Sequence, residues 1–164
     1  MKLIIDSGTT NFQIAKNIKN NNCNNLTILT HDIKIAYELC SNKKLRIILL
    51  GGIVNNEQYS TYKYFSENIL SNTRSDKLFL AVDGASFENG FSCVSVEDGE
   101  LKKLMIKSSK KIIVILDSTK FNKVTFFKIC DLGNIDMLIT DDQIPKEYVS
   151  YFEGKNIEVE IVKK

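Results

Sequence analysis

The chain has 164 residues, of which 43% are apolar and 26% are charged, a length and composition typical of one globular domain with a single core. Its net charge of +2, without a dense stretch of lysine and arginine, argues against a nucleic-acid-binding surface. We therefore expect residues 1–164 to form one domain that does not itself bind DNA.

Short apolar runs alternate along the chain with segments whose apolar residues have helical spacing. This pattern predicts strands at 3–5, 26–29, 45–50, 78–82, 112–116, 126–130, 137–140 and 157–162. It predicts helices over 12–18, 33–40, 62–70 and 101–105, and another after Pro145. The asparagine-rich run at 20–25 is predicted to be a loop.

The predicted strands are mostly continuous runs of Val, Ile and Leu. They lack the alternation of apolar and polar residues that is typical of a strand with one solvent-exposed face. Such strands are buried on both sides, so helices should cover both faces of a mainly parallel sheet. The sequence therefore predicts an α/β fold of the Rossmann-like kind.

Polar or small residues follow five of the predicted strands, where an open parallel sheet places its ligand crevice. The five segments are Asp6-Ser7-Gly8-Thr9-Thr10, Thr30-His31-Asp32, Gly51-Gly52, Asp83-Gly84 and Asp117-Ser118-Thr119-Lys120. A glycine with hydroxyl neighbours at a strand-to-helix turn can seat a phosphate on the first helical N–H groups. An ordinary helix cap explains the first segment equally well. Together, the five segments favour a pocket for a phosphorylated, polyhydroxylated small molecule over unrelated turns.

Other charged residues give weaker signals. His31 is the only histidine and has no ligand-spaced cysteine beside it, so we interpret it as the neighbour of a helix cap at Asp32 and expect no metal and no cofactor. Glu97 begins a predicted helix, where an acid stabilises the dipole, and its role in a site stays open. Lys102 and Lys103 are interpreted as a solvated helix face, which makes Lys120 the stronger basic candidate.

The cysteines and the apolar pattern bear on the cellular compartment. The four cysteines lie far apart and lack zinc-site spacing, so they are predicted to be reduced thiols in the core or just below the surface: Cys23, Cys40, Cys93 and Cys130. We find neither a leader pattern nor an apolar stretch of membrane-spanning length. A cytoplasmic location without a membrane partner is expected.

The strand-end segments also resemble a known family when they are taken in order. The set Asp-Ser-Gly-Thr-Thr, Thr-His-Asp, Leu-Gly-Gly, Asp-Gly-Ala, Glu-Asp…Lys-Lys…Met-Ile and Asp-Ser-Thr-Lys-Phe resembles the C-terminal sensor domain of DeoR-type transcriptional repressors, over nearly the entire chain. The resemblance implies a fold related to ribose-5-phosphate isomerase, a phosphorylated sugar as effector, and a homo-oligomer, either dimer or tetramer. It also implies that DNA is bound by an N-terminal winged helix-turn-helix, which we expect to be absent because only Met1–Ile5 precede the first motif.

The resemblance implies roles for individual residues as well. The phosphate would be seated by Ser7, Gly8, Thr9 and Thr10, with Thr30 and Asp32 on the adjacent loop. The sugar would be faced by Asp83, Glu97, Asp117 and Lys120. Asp6 fits the family pattern, and close backbone approach would be allowed by Gly51, Gly52 and Gly84. His31 departs from the asparagine that is often found at its position in the family.

Two other classes of function compete with a sensor. Asp83-Gly84-Ala85 also resembles a segment of ribose-5-phosphate isomerase, and Glu97 and Lys120 could supply the base and the cation of an isomerisation. However, Asn89-Gly90-Phe91-Ser92 stands where those isomerases have a Lys-Gly-Gly-Gly-type loop, so we predict that the chain is not an enzyme. A purely structural oligomerisation module is the third reading.

Overall fold

A seven-stranded sheet forms the centre of the computed structural model, which describes residues 1–21 and 23–163. In the order in which they lie side by side, its strands are β12 (Glu158–Val162), β11 (Met137–Asp141), β9 (Ser109–Ile115), β6 (Ser75–Ala81), β1 (Lys2–Ile5), β2 (Thr27–Thr30) and β3 (Arg46–Leu49). Each neighbouring pair is parallel. The predicted parallel sheet is confirmed.

Two small antiparallel sheets accompany the central one. A hairpin consists of β4 (Ile53–Asn55) and β5 (Ser60–Tyr62), and a three-stranded sheet has the order β10 (Phe127–Cys130), β8 (Gly90–Cys93) and β7 (Gly84–Ser86). The strand predicted at 126–130 thus lies in a small sheet. Tyr62, predicted to be helical, lies in β5 instead, because it pairs with Ile53 across the hairpin.

In the part of the chain that the structure describes, five α-helices connect the strands: α1 (Thr9–Asn20), α2 (Ile33–Leu39), α3 (Tyr64–Ser71), α4 (Val96–Lys107) and α5 (Lys146–Gly154). α1 extends to Asn20, the first residue of the run predicted as a loop, and Asn22 of that run lies outside the described residues. Within residues 1–21 and 23–163, each helix is too short or too polar to cross a membrane.

Apolar side chains fill both faces of the sheet, as the uninterrupted strands predicted. Successive residues of a strand point to opposite faces, so Ile4 joins the larger cluster with Leu78 and Leu80, while Leu3 and Ile5 join the smaller one. Removing such side chains from water stabilises the fold by roughly 25 cal/mol per Å². The carboxyl ends of β1, β2 and β6 therefore extend from a sheet that is packed against apolar side chains on both faces.

The cysteines are free thiols, as predicted, but they differ in burial. Cys93 is buried, and Cys23 and Cys130 are partly buried. Cys40 is exposed, so the prediction of a core or subsurface position is wrong for this residue. The reason is that Cys40 caps the carboxyl end of α2, after the last inward-facing residue of that helix, Leu39.

Candidate ligand-binding site

A cavity of about 500 Å³ opens at the carboxyl ends of the central strands, within the size range of small-molecule sites. Several residues predicted from the strand ends line it: Ser7, Gly8, Thr9, Asp32 and Asp83. Other lining residues were not assigned to a site from the sequence: Phe12, Gln13, Lys34, Glu57, Gln58, Ala81, Val82, Asp98 and Lys102. Three predicted strand ends therefore converge on one cavity, as the topology of a parallel sheet requires.

The amino terminus of α1 borders this cavity. Gly8 is the N-cap residue, and its φ of 126° and ψ of 157° are rarely adopted by residues with a side chain. Glycine brings no capping oxygen, and the first turn of α1 contains no acidic residue. The first N–H groups and the positive end of the helix dipole are thus left without an anionic partner from the helix itself. This geometry suits a bound anion, with the hydroxyls of Ser7 and Thr9 as additional donors.

A buried charge cluster lies beside that helix end. Lys102 Nζ lies 2.5 Å from Asp6 Oδ2 and 3.3 Å from Asp98 Oδ2. The three residues are 3%, 0% and 6% exposed, respectively. The interpretation of Lys102 as part of a solvated face is therefore wrong: α4 turns it inward with the buried Leu101. Lys103 does lie outside, where it pairs with Glu100 at 3.2 Å.

The mutual attraction of these groups fixes their charges. Burial raises the pKa of Asp6, but the charge of Lys102 and the hydrogen bond with His31 outweigh burial and hold it at about 2. Burial lowers the pKa of Lys102, yet Asp6 and Asp98 together move it above its ordinary value. The pKa of Asp98 is raised, chiefly by burial. The cluster thus contains an ammonium group and an ionised Asp6 carboxylate at neutral pH.

Three potential metal ligands, Asp6, His31 and Asp98, have ligand atoms within 4.8 Å of one another. The Lys102 ammonium, however, already contacts both carboxylates. A divalent cation would have to displace this ammonium, whose charge offsets one of the two buried carboxylates. The donor set is therefore better suited to the chain's own lysine than to a metal.

His31 makes buried hydrogen bonds of its own, in addition to preceding the helix cap at Asp32. Asp32 does cap α2, since its Oδ1 accepts a hydrogen bond of 2.9 Å from the Ile35 N–H. His31 itself is fully buried, with Nε2 3.0 Å from Asp6 Oδ1 and Nδ1 3.2 Å from the carbonyl oxygen of Thr61. Its ring thus connects the end of β1 to the β4–β5 hairpin.

The β4–β5 hairpin supplies one wall of the cavity through Glu57 and Gln58 in its loop. Tyr62 holds this loop, because its hydroxyl donates a hydrogen bond of 2.7 Å to Gln58 Oε1. Beside it, Lys34 Nζ lies 3.9 Å from the centre of the Tyr59 ring. The sequence offered a turn-forming Asn55-Asn56 pair as a sign of the hairpin, but no sign of its position over the cavity.

Two of the glycines that were predicted to allow close approach of a ligand, Gly52 and Gly84, instead lie close to the backbone of the chain itself. A Cβ on Gly52, whose φ is 148°, would lie 2.0 Å from the carbonyl oxygen of Tyr62, and one on Gly84 would lie 2.6 Å from that of Lys123. A Cβ on Gly51 would meet only the Phe65 side chain, at 3.6 Å. Gly52 and Gly84 are therefore required by close packing of the chain against itself.

The remaining predicted residues lie elsewhere in the described structure. Thr30 is buried and its Oγ1 accepts a hydrogen bond from the Asp32 N–H, whereas Thr10 is exposed in the first turn of α1. Glu97 pairs with Lys63 at 3.6 Å and lines a separate depression of about 290 Å³.

Two further predicted residues belong to a short 3-10 helix at Ser118–Lys120. Asp117 caps it, accepting a hydrogen bond of 2.9 Å from the Thr119 N–H, and Lys120 is its last residue. Among the described residues, Glu97, Asp117 and Lys120 are not part of the lining of the 500 Å³ cavity. Their contact with a ligand stays a prediction.

Comparisons with known proteins place this geometry in context. Residues 1–142 match the family model described as the DeoR C terminal sensor domain. A putative aga operon transcriptional repressor of Escherichia coli O157:H7 is 32% identical over 98% of this chain and 59% of its own length. The HTH-type transcriptional regulator GolR of Listeria innocua is 30% identical over 97% of this chain and 62% of its own length.

A third relative, the HTH-type transcriptional repressor GlcR of Bacillus subtilis, is 30% identical over 96% of this chain and 60% of its own length. The chain thus spans about three fifths of the curated relatives that it matches. Among solved structures, a D-ribose-5-phosphate isomerase in complex with phospho-erythronic acid has a TM-score of 0.50 at 12% identity, covering 74% of this chain and 46% of that one. This likeness concerns the fold and confirms the predicted architecture.

Proposed function

The chain belongs to the family of DeoR C-terminal sensor domains, and from that membership we propose that it binds a phosphorylated sugar as the effector of a transcriptional regulator. The matching relatives are named as transcriptional regulators and repressors, which confirms the prediction that the chain is not an enzyme.

The observation that carries the proposal is the pairing of two features in one cavity. The uncapped amino terminus of α1, at Gly8 and Thr9, suits a dianionic phosphate. The same cavity is lined by Asp83 and Asp98, whose carboxylates accept hydrogen bonds from hydroxyl groups, with Lys102 as a donor. A molecule with a phosphate at one end and hydroxyls along its length fits both features.

Neither feature alone selects this ligand. A helix amino terminus binds many anions, and a free sugar would leave the α1 N–H groups without their anion. Inorganic phosphate, in turn, would leave the carboxylates unused. The proposal therefore predicts that both the phosphate and the hydroxylated carbon chain contribute to affinity.

Regulation requires a difference in affinity between two states of the protein. The hairpin loop at Glu57 and Gln58 would contact the effector directly, and His31 ties the same hairpin to Asp6 in the charge cluster. We propose that effector binding draws this hairpin closer over the cavity. In a longer regulator that carries a DNA-binding segment, this closure would change the affinity for DNA, with residues 1–164 as the one effector-binding domain of a cytoplasmic protein.

The proposal is tested by thermal unfolding of the purified chain with pentose and hexose phosphates, each beside its unphosphorylated sugar and inorganic phosphate. A ligand at about 100 times its Kd adds roughly 2.7 kcal/mol of stability, a readily measured shift. We expect stabilisation by one or a few sugar phosphates, and much less by the matched sugars or by phosphate. Equal stabilisation by inorganic phosphate alone would contradict a sugar-phosphate site.

A further inference from the structure

Lys34 is a cation of the ligand cavity that lies outside the buried charge cluster. Among the described residues that line the cavity, Lys34 and Lys102 are the only two with a positive charge. The charge of Lys102 is already balanced, because its Nζ contacts the carboxylates of Asp6 and Asp98. Lys34 forms no ion pair in the part of the chain that the structure describes. Its ammonium group is therefore a lining cation that has no anionic partner within the described chain.

The position of Lys34 is unfavourable for the helix that carries it. Lys34 is the second residue of α2 and lies at the positive end of the helix dipole, where a cation destabilises a helix. The first turn of α2 contains no acidic residue that would offset this charge. A residue that opposes the preference of its own helix and also borders a cavity is typical of a binding site.

Tyr59, in the loop of the β4–β5 hairpin, holds the Lys34 ammonium in place. Lys34 Nζ lies 3.9 Å from the centre of the Tyr59 ring, which is a cation–π contact. The backbone supports this contact, because the Ile33 N–H donates a hydrogen bond of 2.9 Å to the Tyr59 carbonyl oxygen. Tyr59 has a φ of 56°, which is uncommon for a residue with a bulky side chain. The ring orients the ammonium but carries no net charge that would neutralise it.

The segments that lead into α1 and α2 contact each other at the cavity. The Ser7 nitrogen lies 3.3 Å from His31 Nε2, and each of these residues stands two positions before the first residue of its helix. The two helices also pack against each other. Gly8 and Lys34 thus border one cavity from neighbouring helices, so an anion at the start of α1 enters the cavity that Lys34 also lines.

The charges of the cavity make a further cation necessary for a phosphorylated ligand. Four carboxyl groups line it, on Asp32, Glu57, Asp83 and Asp98. A phosphate ester adds about 1.5 to 2 negative charges at neutral pH, and like charges at short range repel each other. The amino end of α1 supplies the equivalent of only about half a positive charge. Lys34 is the lining residue that supplies a full charge without breaking an ion pair within the described chain.

We propose that Lys34 is the specificity-determining residue for a dianionic phosphate: its ammonium pairs with the phosphate that α1 holds, and it makes the hairpin respond to that phosphate. This inference rests on the proposed function, a phosphorylated effector in this cavity. Tyr59 directly follows the cavity residues Glu57 and Gln58, so the contact between Lys34 and Tyr59 connects a bound phosphate to the hairpin loop. An unphosphorylated sugar lacks this connection.

The experiment is titration calorimetry of the purified chain with ribose 5-phosphate, glucose 6-phosphate and fructose 6-phosphate, each beside the corresponding sugar sulfate. In Lys34→Gln, we expect the Kd of the tightest phosphate to rise roughly 10-fold or more, which is typical for loss of a hydrogen bond between charged groups. A sulfate ester carries a single charge, so the variant should also show a smaller preference for phosphate over sulfate. Its Kd should depend less on salt, because salt screens an exposed charge pair.

Two further variants separate the charge of Lys34 from its bulk. Lys34→Arg keeps the positive charge and should retain most of the affinity. Lys16→Gln is the matched control, because Lys16 Nζ lies 4.9 Å from the ring of the cavity residue Phe12, yet Lys16 is not among the described lining residues. This control should change neither the Kd nor its salt dependence. Lys34 is exposed, so we expect Lys34→Gln to unfold at the same temperature as the wild type without ligand.

The outcomes distinguish the role of Lys34 from the existence of the site. An equal Kd in Lys34→Gln and the wild type would overturn the role of Lys34 and leave the sugar-phosphate site in place. A loss of affinity that is as large in Lys34→Arg would overturn it too, because the role depends on charge. If none of the three sugar phosphates bound, the proposed function would fail, and inorganic phosphate would replace them in the same comparison. Phosphate that binds both chains equally, or neither, would then overturn the role of Lys34, whereas weaker binding to Lys34→Gln would support it.

Discussion

Lys102 Nζ lies 2.5 Å from Asp6 Oδ2, although 96 residues separate the two along the chain. The ion pair joins α4 to the carboxyl end of β1, and Asp6 Oδ2 also accepts a hydrogen bond of 3.0 Å from the Ala81 N–H at the end of β6. One carboxylate therefore fixes three elements around the ligand cavity. Burying such a pair costs desolvation energy, so the ion pair adds little net stability and mainly fixes the positions of the two charges. Removing one partner, however, destabilises the fold strongly, because the other charge stays buried without a partner.

Substitution of Lys102 by methionine should strongly destabilise the chain. The variant Lys102→Met leaves Asp6 and Asp98 buried without their cation, and losing one partner of a buried ion pair typically costs about 3–5 kcal/mol. Lys103→Met is the matched control, since Lys103 makes an exposed pair with Glu100 and should cost about 1 kcal/mol or less. Urea unfolding measures both. Equal losses in the two variants would show that the buried cluster does not contribute as proposed.

The stability of the chain should depend on Asp6 at acid pH. Its pKa of about 2 in the folded chain lies below the ordinary value of 3.8. As the pH falls below 3.8, the unfolded chain takes up a proton that folded Asp6 does not yet accept, so stability falls until the pH reaches about 2. Each pKa unit corresponds to about 1.4 kcal/mol, so the loss is about 2 kcal/mol.

The measurement is the free energy of unfolding in urea across that pH window, for the wild type and for Asp6→Asn. The variant has a lower stability throughout, because an amide is a weaker partner for Lys102. Its curve should be flatter by the contribution of Asp6. Parallel curves would mean that Asp6 has an ordinary pKa in the folded chain.

Gly8 should not tolerate a side chain. Its φ of 126° is unfavourable for alanine, and an added Cβ would also lie 3.4 Å from the Ala81 Cβ. We expect Gly8→Ala to cost about 1–3 kcal/mol in unfolding free energy and to weaken sugar-phosphate binding, because the first turn of α1 must shift. Gly154→Ala is the control: it lies in α5 with no atom within 4 Å of an added Cβ, and it should be neutral or slightly stabilising.

His31 should anchor the hairpin. In His31→Ala, the carbonyl oxygen of Thr61 and Asp6 Oδ1 each lose a buried partner, at about 1–3 kcal/mol. Hydrogen exchange should accelerate in β5 more than in β9, since the latter is held in the central sheet on both sides. Tyr37→Ala, at a residue 83% exposed, should change neither. Uniform acceleration across the chain would indicate global destabilisation instead of a local anchor.

The central sheet could be predicted because its strands are visible in the sequence as continuous apolar runs. A run such as Leu78–Val82 has no alternation, and only burial on both faces makes such a strand stable. Parallel strands also bring their carboxyl ends to one edge, which is why Ser7, Asp32 and Asp83 were expected together and do line one cavity. These features depend on local composition and on topology alone.

The charge cluster and the hairpins could not be predicted in the same way. Asp98 and Lys102 stand four residues apart on α4, a spacing equally typical of an exposed pair, and nothing near them in sequence indicates that Asp6 lies opposite. The strands β4, β5 and β7 have three residues each, too few to show a period. Such features depend on contacts between distant segments.

The most direct test of the effector site is a two-dimensional ¹⁵N–¹H spectrum of the chain titrated with the sugar phosphate that stabilises it best, beside the matched free sugar. We predict that the largest changes in amide shift occur at Ser7, Gly8 and Thr9, with further changes at Glu57 and Gln58, and that the free sugar leaves the first group nearly unchanged. Shifts concentrated at Ser118–Lys120, with the amide groups at the start of α1 unmoved, would contradict the account and place the phosphate elsewhere.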